Sequence, residues 1–305
     1  MRGKHHVDEL HRRASRALFT AGPSFTRQRD ELKQVRTSSR ELGVRDPVFD
    51  VNDKEDSQRW AQQLGLRTAS VLEAGRTART IPWSDLPERF VVKPDRGVAS
   101  KGVFLLQRTA GGFRELRRGA PTTAEEVTRE LLQLAAAGTV SEEVLVESMV
   151  RDPQTPGGAP IDWKILAFYG RVGLITAIRT PPGAPRACRW FNPSWQDVGL
   201  AVHGPTRRDP SIPAPRHAET ILRAASLVSA CVPTPFLRVD LYEDEAGPVF
   251  GEVTPQPGGP LAFRHGVDRW LGEMHVEAQG RLMARAASSG VLAPSLAPLP
   301  WSVVL

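Results

Sequence analysis

The chain has 305 residues, of which 40% are hydrophobic and 24% are charged, with a formal net charge of +6 and a pI near 9.8. This length allows one large domain or two to three smaller lobes around a cleft, with ample apolar material for a core. The basic charge favours anionic ligands, but aromatic residues make up only 7% and no nucleic-acid-binding signature occurs. Nucleic acid is therefore not the expected partner, and the absence of a Gly/Pro repeat excludes a fibrous chain.

The cysteines and the start of the chain bear on its compartment. Cys188 and Cys231 lack the spacing of a disulfide framework or of a metal site. The charged first residues lack the apolar stretch of a signal peptide. No apolar run approaches the ~18 residues of a membrane span, because Arg171 interrupts the best candidate. We expect a cytoplasmic protein without a membrane span.

Helical spacing of apolar residues marks the N-terminal region. The pattern predicts a helix over residues 6–20 and a short second helix around Glu31–Val35. A capping box opens a third helix at Asn52, and this helix stops at Gly65. Lys54 lies in its first turn, where the helix dipole disfavours a cation. That position is a weak indication of a ligand contact, and a surface lysine is the alternative.

The next predicted elements are a short strand near Thr68–Leu72 and a hairpin between Phe90 and Leu106. The hairpin turn is polar and rich in glycine. Glycines let the backbone approach an anion closely, and successive amide N–H groups can cradle phosphate oxygens. Lys93, at the end of the entering strand, can reach the same phosphates. The turn does not match the Walker A pattern, and an ordinary solvated turn is the alternative.

The middle of the chain contains a helix, a strand and a loop in succession. Thr123 begins a second capping box, and the helix that it opens runs to Gly138. Residues Val144–Val150 are predicted to form a strand. The Pro/Gly-rich segment Asp152–Pro160 follows, and it is the best candidate for a hinge between lobes.

A second hairpin is predicted over residues 162–178, with its turn at Gly170. Lys164 lies on the first of its strands among largely apolar neighbours. Because an unpaired buried charge is costly, this lysine requires an anionic partner.

Residues 179–216 are rich in Pro, Arg and Trp, and they are predicted to be irregular. Three arginines of this segment favour an anionic substrate such as an amino acid, a uronic acid or a polymer end. They are Arg179, Arg186 and Arg189. A solvated loop in an arginine-rich protein is the alternative. Two further helices are predicted over Pro215–Val228 and near Val267–Met283.

The most informative stretch consists of two alternating runs, Phe236–Tyr242 and Pro248–Thr254, joined by a five-residue polar link. The alternation predicts a hairpin with one half-buried face. If Tyr242 pairs with Pro248 or with its neighbour two residues along, even-numbered residues oppose even-numbered residues. Four polar side chains then converge on one face: Arg238, Asp240, Glu252 and Thr254. Two carboxylates beside an arginine suit Mg²⁺ held against phosphate, since Mg²⁺ takes few carboxylates and completes its shell with water and phosphate oxygens.

Four separated elements occur in order along the chain. They are Val92-Lys93-Pro94 with its glycine turn, Val146-Glu147, Asp162-Trp163-Lys164, and Arg238-Val239-Asp240 followed by Gly251-Glu252-Val253-Thr254. This order resembles the ATP-grasp superfamily, and within it the TupA-like proteins associated with teichuronopeptide and surface-polysaccharide synthesis. The segment around Trp195 also resembles that subgroup, and the likeness covers roughly residues 50–270.

The resemblance implies an α+β fold in which two lobes with antiparallel sheets sandwich ATP, preceded by a short helical segment. Three regions are expected on this basis. Residues 1–50 would form the helical N-terminal extension, residues 51–150 the small lobe with a glycine flap, and residues 151–305 the large lobe with the metal hairpin and a C-terminal helix.

The resemblance also implies which residues bind the nucleotide. Lys93 and Lys164 would contact the phosphates, and Lys54 is a further candidate. Residues 97–102 would form a flap over the phosphates, with Gly97, Ser100, Lys101 and Gly102 as its binding residues. Glu147 and the backbone near Val150 would meet the adenine. Asp152 is a guess for the ribose.

The metal and the reacting group are assigned in the same way. Asp240 and Glu252 would hold Mg²⁺, while Arg238 and Lys164 would be the catalytic residues that stabilise the transferred phosphoryl group. Thr254 stands where many ATP-grasp ligases have Asn, which leaves its role as a metal ligand open. Phosphoryl transfer needs positioning and charge neutralisation, which lysines, an arginine and a metal can supply.

The expected function is that of an ATP- and Mg²⁺-dependent carboxylate–amine ligase. It would form an amide through an acyl phosphate, in the biosynthesis of a natural product or a surface polymer. The expected partners are a small carboxylic acid and an amine. The alternatives are an ATP-grasp kinase and a non-catalytic nucleotide-binding module, and the oligomeric state is open, with a homodimer as one option.

Overall fold

The computed structural model describes residues 22–44, 46, 48–49, 54–97, 100–257 and 262–289, without the side chains of residues 54 and 55. The helix predicted over residues 6–20 and the cap predicted at Asn52 lie outside these ranges. The helices within them are α1 (Phe25–Glu41), α2 (Lys54–Gln63), α3 (Ala124–Ala136), α4 (Ala218–Cys231) and α5 (His265–Ser288). None of these helices combines the length and the apolar character that a membrane crossing requires.

The strands form two six-stranded sheets. The small sheet has the order β1–β6–β2–β3–β4–β5, and its strands are β1 (Val71–Thr77), β2 (Arg89–Pro94), β3 (Phe104–Thr109), β4 (Gly112–Glu115), β5 (Ala120–Thr122) and β6 (Glu143–Ser148). The large sheet has the order β10–β9–β8–β7–β11–β12, and its strands are β7 (Asp162–Phe168), β8 (Arg171–Arg179), β9 (Ala187–Phe191), β10 (Arg207–Arg208), β11 (Leu237–Asp244) and β12 (Gly247–Thr254). All neighbouring strands pair antiparallel except β9 and β10.

The small sheet buries one face and presents the other to a cleft. Along β2, Phe90 and Val92 are buried in a cluster with residues of α3, whereas the intervening Val91 and Lys93 are half-buried on the opposite face. This period of two follows from the pleat of a strand. The capping box at Thr123 forms as predicted, with its side chain accepting from the backbone N–H of Glu126.

The large sheet is covered on both faces. Trp163 and Ile165 belong to the cluster that includes residues of α4, while Leu166 and Phe168 face the other way, into the cluster that includes residues of α1 and α5. Asp162 and Lys164 share the even-numbered face with Leu166 and Phe168. The helices therefore cover the Phe168 end of that face, and its Asp162 end lies in the cleft.

Helices α1 and α5 pack together on the large sheet. Phe25 of α1 is fully buried beside the rings of Phe168 and Phe236, at centroid distances of 5.4 and 4.7 Å. His275 of α5 is buried nearby, and neither of its ring nitrogens has a hydrogen-bond partner. Burial lowers the pKa of His275 to about 4, so the ring is neutral near pH 7.

Several predicted elements are confirmed. The predicted hairpins over residues 90–106 and 162–178 form β2–β3 and β7–β8, and the helices predicted around residues 31–35, 123–138, 215–228 and 267–283 form α1, α3, α4 and α5.

Two predictions are wrong. The strand expected at Thr68–Leu72 lies later in the chain, as β1 over Val71–Thr77. Residues 179–216 are not irregular throughout, because β9 and β10 extend the large sheet through them.

The predicted domain limits stay a prediction, and two contacts cross them. Helix α1 packs on α5 rather than standing apart as an extension, and α2 contacts β12 of the large sheet. Buried Arg36 of α1 also donates hydrogen bonds to the carbonyl of Pro255 and to the hydroxyl of Thr234.

Candidate active site

The register of three neighbouring strands brings together the charged residues of the large sheet. Strand β11 lies between β7 and β12, and its Asp240 is directly opposite Lys164 on β7 and Glu252 on β12. Arg238, two residues earlier on the same face, is opposite Thr254. Residues directly opposite each other in a sheet lie within side-chain contact, so the register alone predicts a charged cluster here.

A bulge at Gly251 sets this register, and it differs from the predicted one. Neither pairing considered for Tyr242, with Pro248 or with Phe250, forms, because Tyr242 pairs with Val249 and only two residues link the strands. The register then shifts by one between Leu241 and Asp240, so that even-numbered residues oppose even-numbered residues as predicted, with Asp240 opposite Glu252. A Cβ at Gly251 would lie 3.0 Å from the carbonyl oxygen of Asp240, a tight contact that favours glycine at the bulge.

Asp240 is the centre of a network of ion pairs. Arg238 donates to it from Nε and Nη2, at 2.5 and 2.7 Å, and Nη2 also reaches Glu252 at 3.2 Å. Lys164 Nζ pairs with Asp240 and, at 2.9 Å, with Asp162. The anionic partner predicted for Lys164 is therefore present twice. With three carboxylates and two cations, the cluster has one negative charge in excess.

The network shifts the titration of its members. Burial opposes the charge on Lys164, but Asp162 and Asp240 outweigh it and raise the pKa of Lys164 above its ordinary value. Burial would raise the pKa of Asp240, and Lys164 with Arg238 lower it instead. Burial, reinforced by the charge of Asp240, raises the pKa of Glu252. Asp240 is thus held ionised between two cations.

The donor set fits Mg²⁺. Asp240 and Glu252 are opposed carboxylates, and Mg²⁺ is commonly held by one or two carboxylates together with substrate phosphates. Thr254 makes a different contact, because its hydroxyl accepts from Arg238 Nη2 at 2.9 Å. No group of three or more His, Cys, Asp or Glu residues is arranged around a common point in the part of the chain that the structure describes. The site is therefore suited to a metal that arrives with phosphate oxygens.

The small sheet provides the opposite wall. Lys93 Nζ lies 2.6 Å from Oε2 of buried Glu147, and Gln58 of α2 donates to the other oxygen of that carboxylate. Glu147 is opposite Val91, the neighbour of Lys93 on the same face of β2. Lysine, carboxylate and amide thus form a continuous polar strip across from Asp240.

The two walls enclose a cavity of about 520 Å³. Most of the predicted site residues line it: Lys93, Gly97, Ser100, Lys101, Glu147, Val150, Lys164, Arg186, Asp240 and Glu252. Five others do not: Gly102, Arg179, Arg189, Arg238 and Thr254. Gly102 is next to Pro94 and Leu131, and the Arg238–Thr254 pair lies two residues along the strands from the Asp240–Glu252 pair, on the same face. The side chain of Lys54 lies outside the described residues.

The three arginines at the end of β8 and in and before β9 differ in their surroundings. Arg179 pairs with Asp209 and donates to Ser211, and Arg189 pairs with Asp197 at 2.8 Å and donates to a backbone carbonyl. Arg186 alone of the three lines the cavity. Arg179 and Arg189 are therefore held by neighbouring residues, whereas Arg186 faces the cleft, a difference that their shared sequence segment does not reveal.

Some residues of the site were not predicted. Asp162, Gln58, Arg117 and Tyr242 all line the cavity. Asp162 belongs to the Asp-Trp-Lys motif, and its spacing of two from Lys164 on a strand places both side chains on one face. Asp152, the guess for the ribose, accepts from the backbone N–H groups of Gln154 and Ile161 and holds the loop that joins the sheets.

Comparison with protein-family models shows which family this chain belongs to. The model of the TupA-like ATP-grasp family matches residues 34–276, which include both sheets and every charged residue of the cleft. The chain belongs to the TupA-like ATP-grasp family. The predicted family and fold class are thereby confirmed. The sequence matches no curated protein.

Solved structures similar to this ATP-grasp chain include peptide ligases. The D-alanine–D-alanine ligase from Bacillus anthracis, complexed with ATP, has 16% identity and a TM-score of 0.49, over 82% of this chain and 75% of that one. The VanG D-Ala:D-Ser ligase from Enterococcus faecalis has 15% identity and a TM-score of 0.46, over 76% of this chain. The chain spans 62% of the length of that ligase, and such distant likenesses concern the fold alone.

Proposed function

We propose that this ATP-grasp protein is an ADP-forming carboxylate–amine ligase. The observation that carries the proposal is the arrangement around Asp240, which is flanked by Lys164, Arg238 and Glu252 and faces Lys93 across the cavity. Such a set of opposed carboxylates and cations suits phosphoryl transfer from ATP, which needs charge neutralisation and alignment rather than a protein nucleophile.

Each residue of the cluster has a proposed task. Lys93 and Lys164 bind phosphate oxygens. Each lysine can leave a carboxylate partner for a phosphate oxygen and still be paired with an anion. Asp240 and Glu252 hold Mg²⁺, which when bound neutralises the phosphate charge. Arg238 keeps Asp240 ionised and oriented, because its fork binds both oxygens of that carboxylate. Thr254 orients Arg238 by accepting a hydrogen bond from its Nη2 rather than binding the metal.

The other wall receives the nucleotide. Gly97, Ser100 and Lys101 border the cavity beside Lys93, where backbone N–H groups after a strand can cradle phosphate. Val91, Leu105, Met149 and Val150 give this wall its apolar patches, which suit an adenine ring. Glu147 acts through Lys93 and Gln58, since it is buried and both its oxygens are bonded.

The proposed reaction joins a small carboxylic acid to an amine. The terminal phosphoryl group of ATP passes to the acid, the amine displaces it as inorganic phosphate, and ADP leaves. A role in a natural product or a surface polymer rests on the family name alone.

Trapping with hydroxylamine tests this function. The protein is incubated with ATP, Mg²⁺ and pools of amino, hydroxy and uronic acids, and hydroxylamine captures any activated acid as a hydroxamate that is identified by its mass. We expect a hydroxamate together with one ADP per product. ADP release with a phosphorylated hydroxyl product would instead establish the kinase. ADP release with every competent acid, but with neither hydroxamate nor amide, would contradict the ligase.

A further inference from the structure

Two charged residues at one end of the large sheet have no place in the nucleotide or metal chemistry. Asp162 begins β7 opposite Ile178 of β8, and Arg186 directly precedes β9, whose first residue Ala187 pairs with Arg179. Asp162 and Arg186 are therefore at the same end of the sheet and two strands apart, about 10 Å between backbones. Both line the cavity, and so does Ile178 between them.

Asp162 has an unused acceptor. Its Oδ2 pairs with Lys164 at 2.9 Å, whereas its Oδ1 is buried and has no hydrogen-bond partner. A buried carboxylate oxygen without a donor is costly, so a donor from a bound molecule would relieve it. An ammonium group carries three donors and a compensating charge.

Arg186 complements this carboxylate. It makes no hydrogen bond and no ion pair with the residues that the structure describes, although Arg179 and Arg189 in the same segment are fully engaged. The guanidinium fork of arginine matches a carboxylate with two parallel hydrogen bonds. An exposed arginine that borders a cavity lined by acidic residues is thus available for a ligand carboxylate.

We propose that Asp162 and Arg186 form the subsite for the amine substrate, and that this substrate is an amino acid. Its ammonium group binds Asp162 Oδ1, its carboxylate binds Arg186, and the intervening Ile178 contacts the carbon skeleton. This assignment rests on the proposed ligase function and narrows it. It places the amine beside Lys164, next to the cluster that activates the acid.

Amine selectivity tests the subsite. Wild-type protein, ATP, Mg²⁺ and an acid that gives a hydroxamate are supplied with glycine, L-alanine, D-alanine or L-glutamate, and in parallel with ethylamine or ethanolamine, which lack the carboxylate. Amides are quantified by mass spectrometry. We expect the amino acids to be preferred by about 10- to 100-fold in kcat/KM, the range of a charge-assisted contact. Arg186→Gln removes the preference by raising the KM for amino acids.

Two further variants define the subsite. Asp162→Asn raises the KM for amino acids by about 10-fold or more without changing the Mg²⁺ concentration that gives half-maximal rate. Arg207→Gln is the matched control, because Arg207 is exposed on β10 next to β9 and does not line the cavity. An amino-acid preference that persists in Arg186→Gln overturns the proposal. If Asp162→Asn changes only the Mg²⁺ concentration that gives half-maximal rate, Asp162 is a metal ligand, and the proposal is overturned as well.

Binding separates this inference from the proposed reaction. Calorimetric titration of the same amino acids into protein loaded with Mg²⁺ and a non-hydrolysable ATP analogue needs no turnover. If wild type forms no hydroxamate, the ligase reaction fails, and the titration alone then decides the subsite. Binding that is lost in both Arg186→Gln and Asp162→Asn supports it, and binding that is absent from wild type or unchanged in these variants refutes it.

Discussion

Replacing Asp240 by Asn separates its role in the ion-pair network from its role at the metal. Asp240 is buried, and its two oxygens bind Lys164 and Arg238. Breaking a buried ion pair costs about 3–5 kcal/mol. Each cation keeps a second carboxylate, Asp162 or Glu252, so we expect a loss nearer 2–3 kcal/mol.

Glu252→Gln is the matched variant. The side chain of Glu252 is 42% exposed and receives only one contact from Arg238, at 3.2 Å, so its loss costs about 1 kcal/mol or less. If both carboxylates hold Mg²⁺, each variant lowers Mg²⁺-dependent ADP release by more than about 100-fold. The two variants should therefore share the loss of turnover and differ in stability.

Urea denaturation and ADP release on the same preparations measure both effects. The expected losses in the free energy of unfolding, relative to wild type, correspond to a drop in Tm of about 4–12 °C for Asp240→Asn and of a few degrees for Glu252→Gln. Retained turnover in either variant would refute the metal assignment. Equal destabilisation by both would refute the central place of Asp240 in the network.

Three further predictions concern stability and nucleotide binding. Burial lowers the pKa of His275 to about 4 from 6.5, so in that window the unfolded chain binds a proton that the folded chain does not, and stability falls as the pH falls from 6.5 to 4. The loss is about 3 kcal/mol, and His275→Leu should remove it from a pH series of urea melts. Gly251→Ala should lower the free energy of unfolding by about 1–3 kcal/mol, whereas Gly280→Ala, in open space on α5, changes it by at most about 1 kcal/mol, upward. Lys93→Gln should raise the KM for ATP about 10- to 100-fold in an ADP-release assay, and the exposed Lys33→Gln should not.

Each of these predictions has a contrary outcome. The same pH dependence in His275→Leu would place the titrating group elsewhere. Equal effects of alanine at Gly251 and Gly280 would mean that the bulge tolerates a Cβ. An unchanged KM for ATP in Lys93→Gln would leave Lys93 as a structural partner of Glu147.

The sequence predicted the elements whose alternation is long and regular. The β7–β8 and β11–β12 hairpins each present polar residues at a spacing of two. The prediction that Lys164, among apolar neighbours on its strand, has an anionic partner is confirmed. Strands β4, β5 and β10 are four, three and two residues long, and they pair at or near the sheet edges. Such strands carry too few alternations to stand out from a loop.

Register and long-range pairing were the parts that the sequence could not supply. The bulge at Gly251 depends on how the whole hairpin packs, and the residue pattern alone gave a regular ladder instead. Arg179 and Arg189 find their acids 30 and 8 residues away, after a chain reversal that no local pattern specifies. For Asp162, the sequence already shows the spacing of two from Lys164 that places both on one face. Only the structure shows that its Oδ1 is buried without a hydrogen-bond partner.

Isotope transfer from the acid to phosphate is the most direct test of the proposed reaction. The acid is labelled with ¹⁸O in its carboxylate and turned over with ATP, Mg²⁺ and the amine, and the inorganic phosphate is weighed by mass spectrometry. If ATP activates the carboxylate, one carboxylate oxygen leaves with the phosphoryl group, and each phosphate carries one oxygen from the acid. Phosphate without the label, or a phosphorylated product in place of free phosphate, would contradict the ligase mechanism.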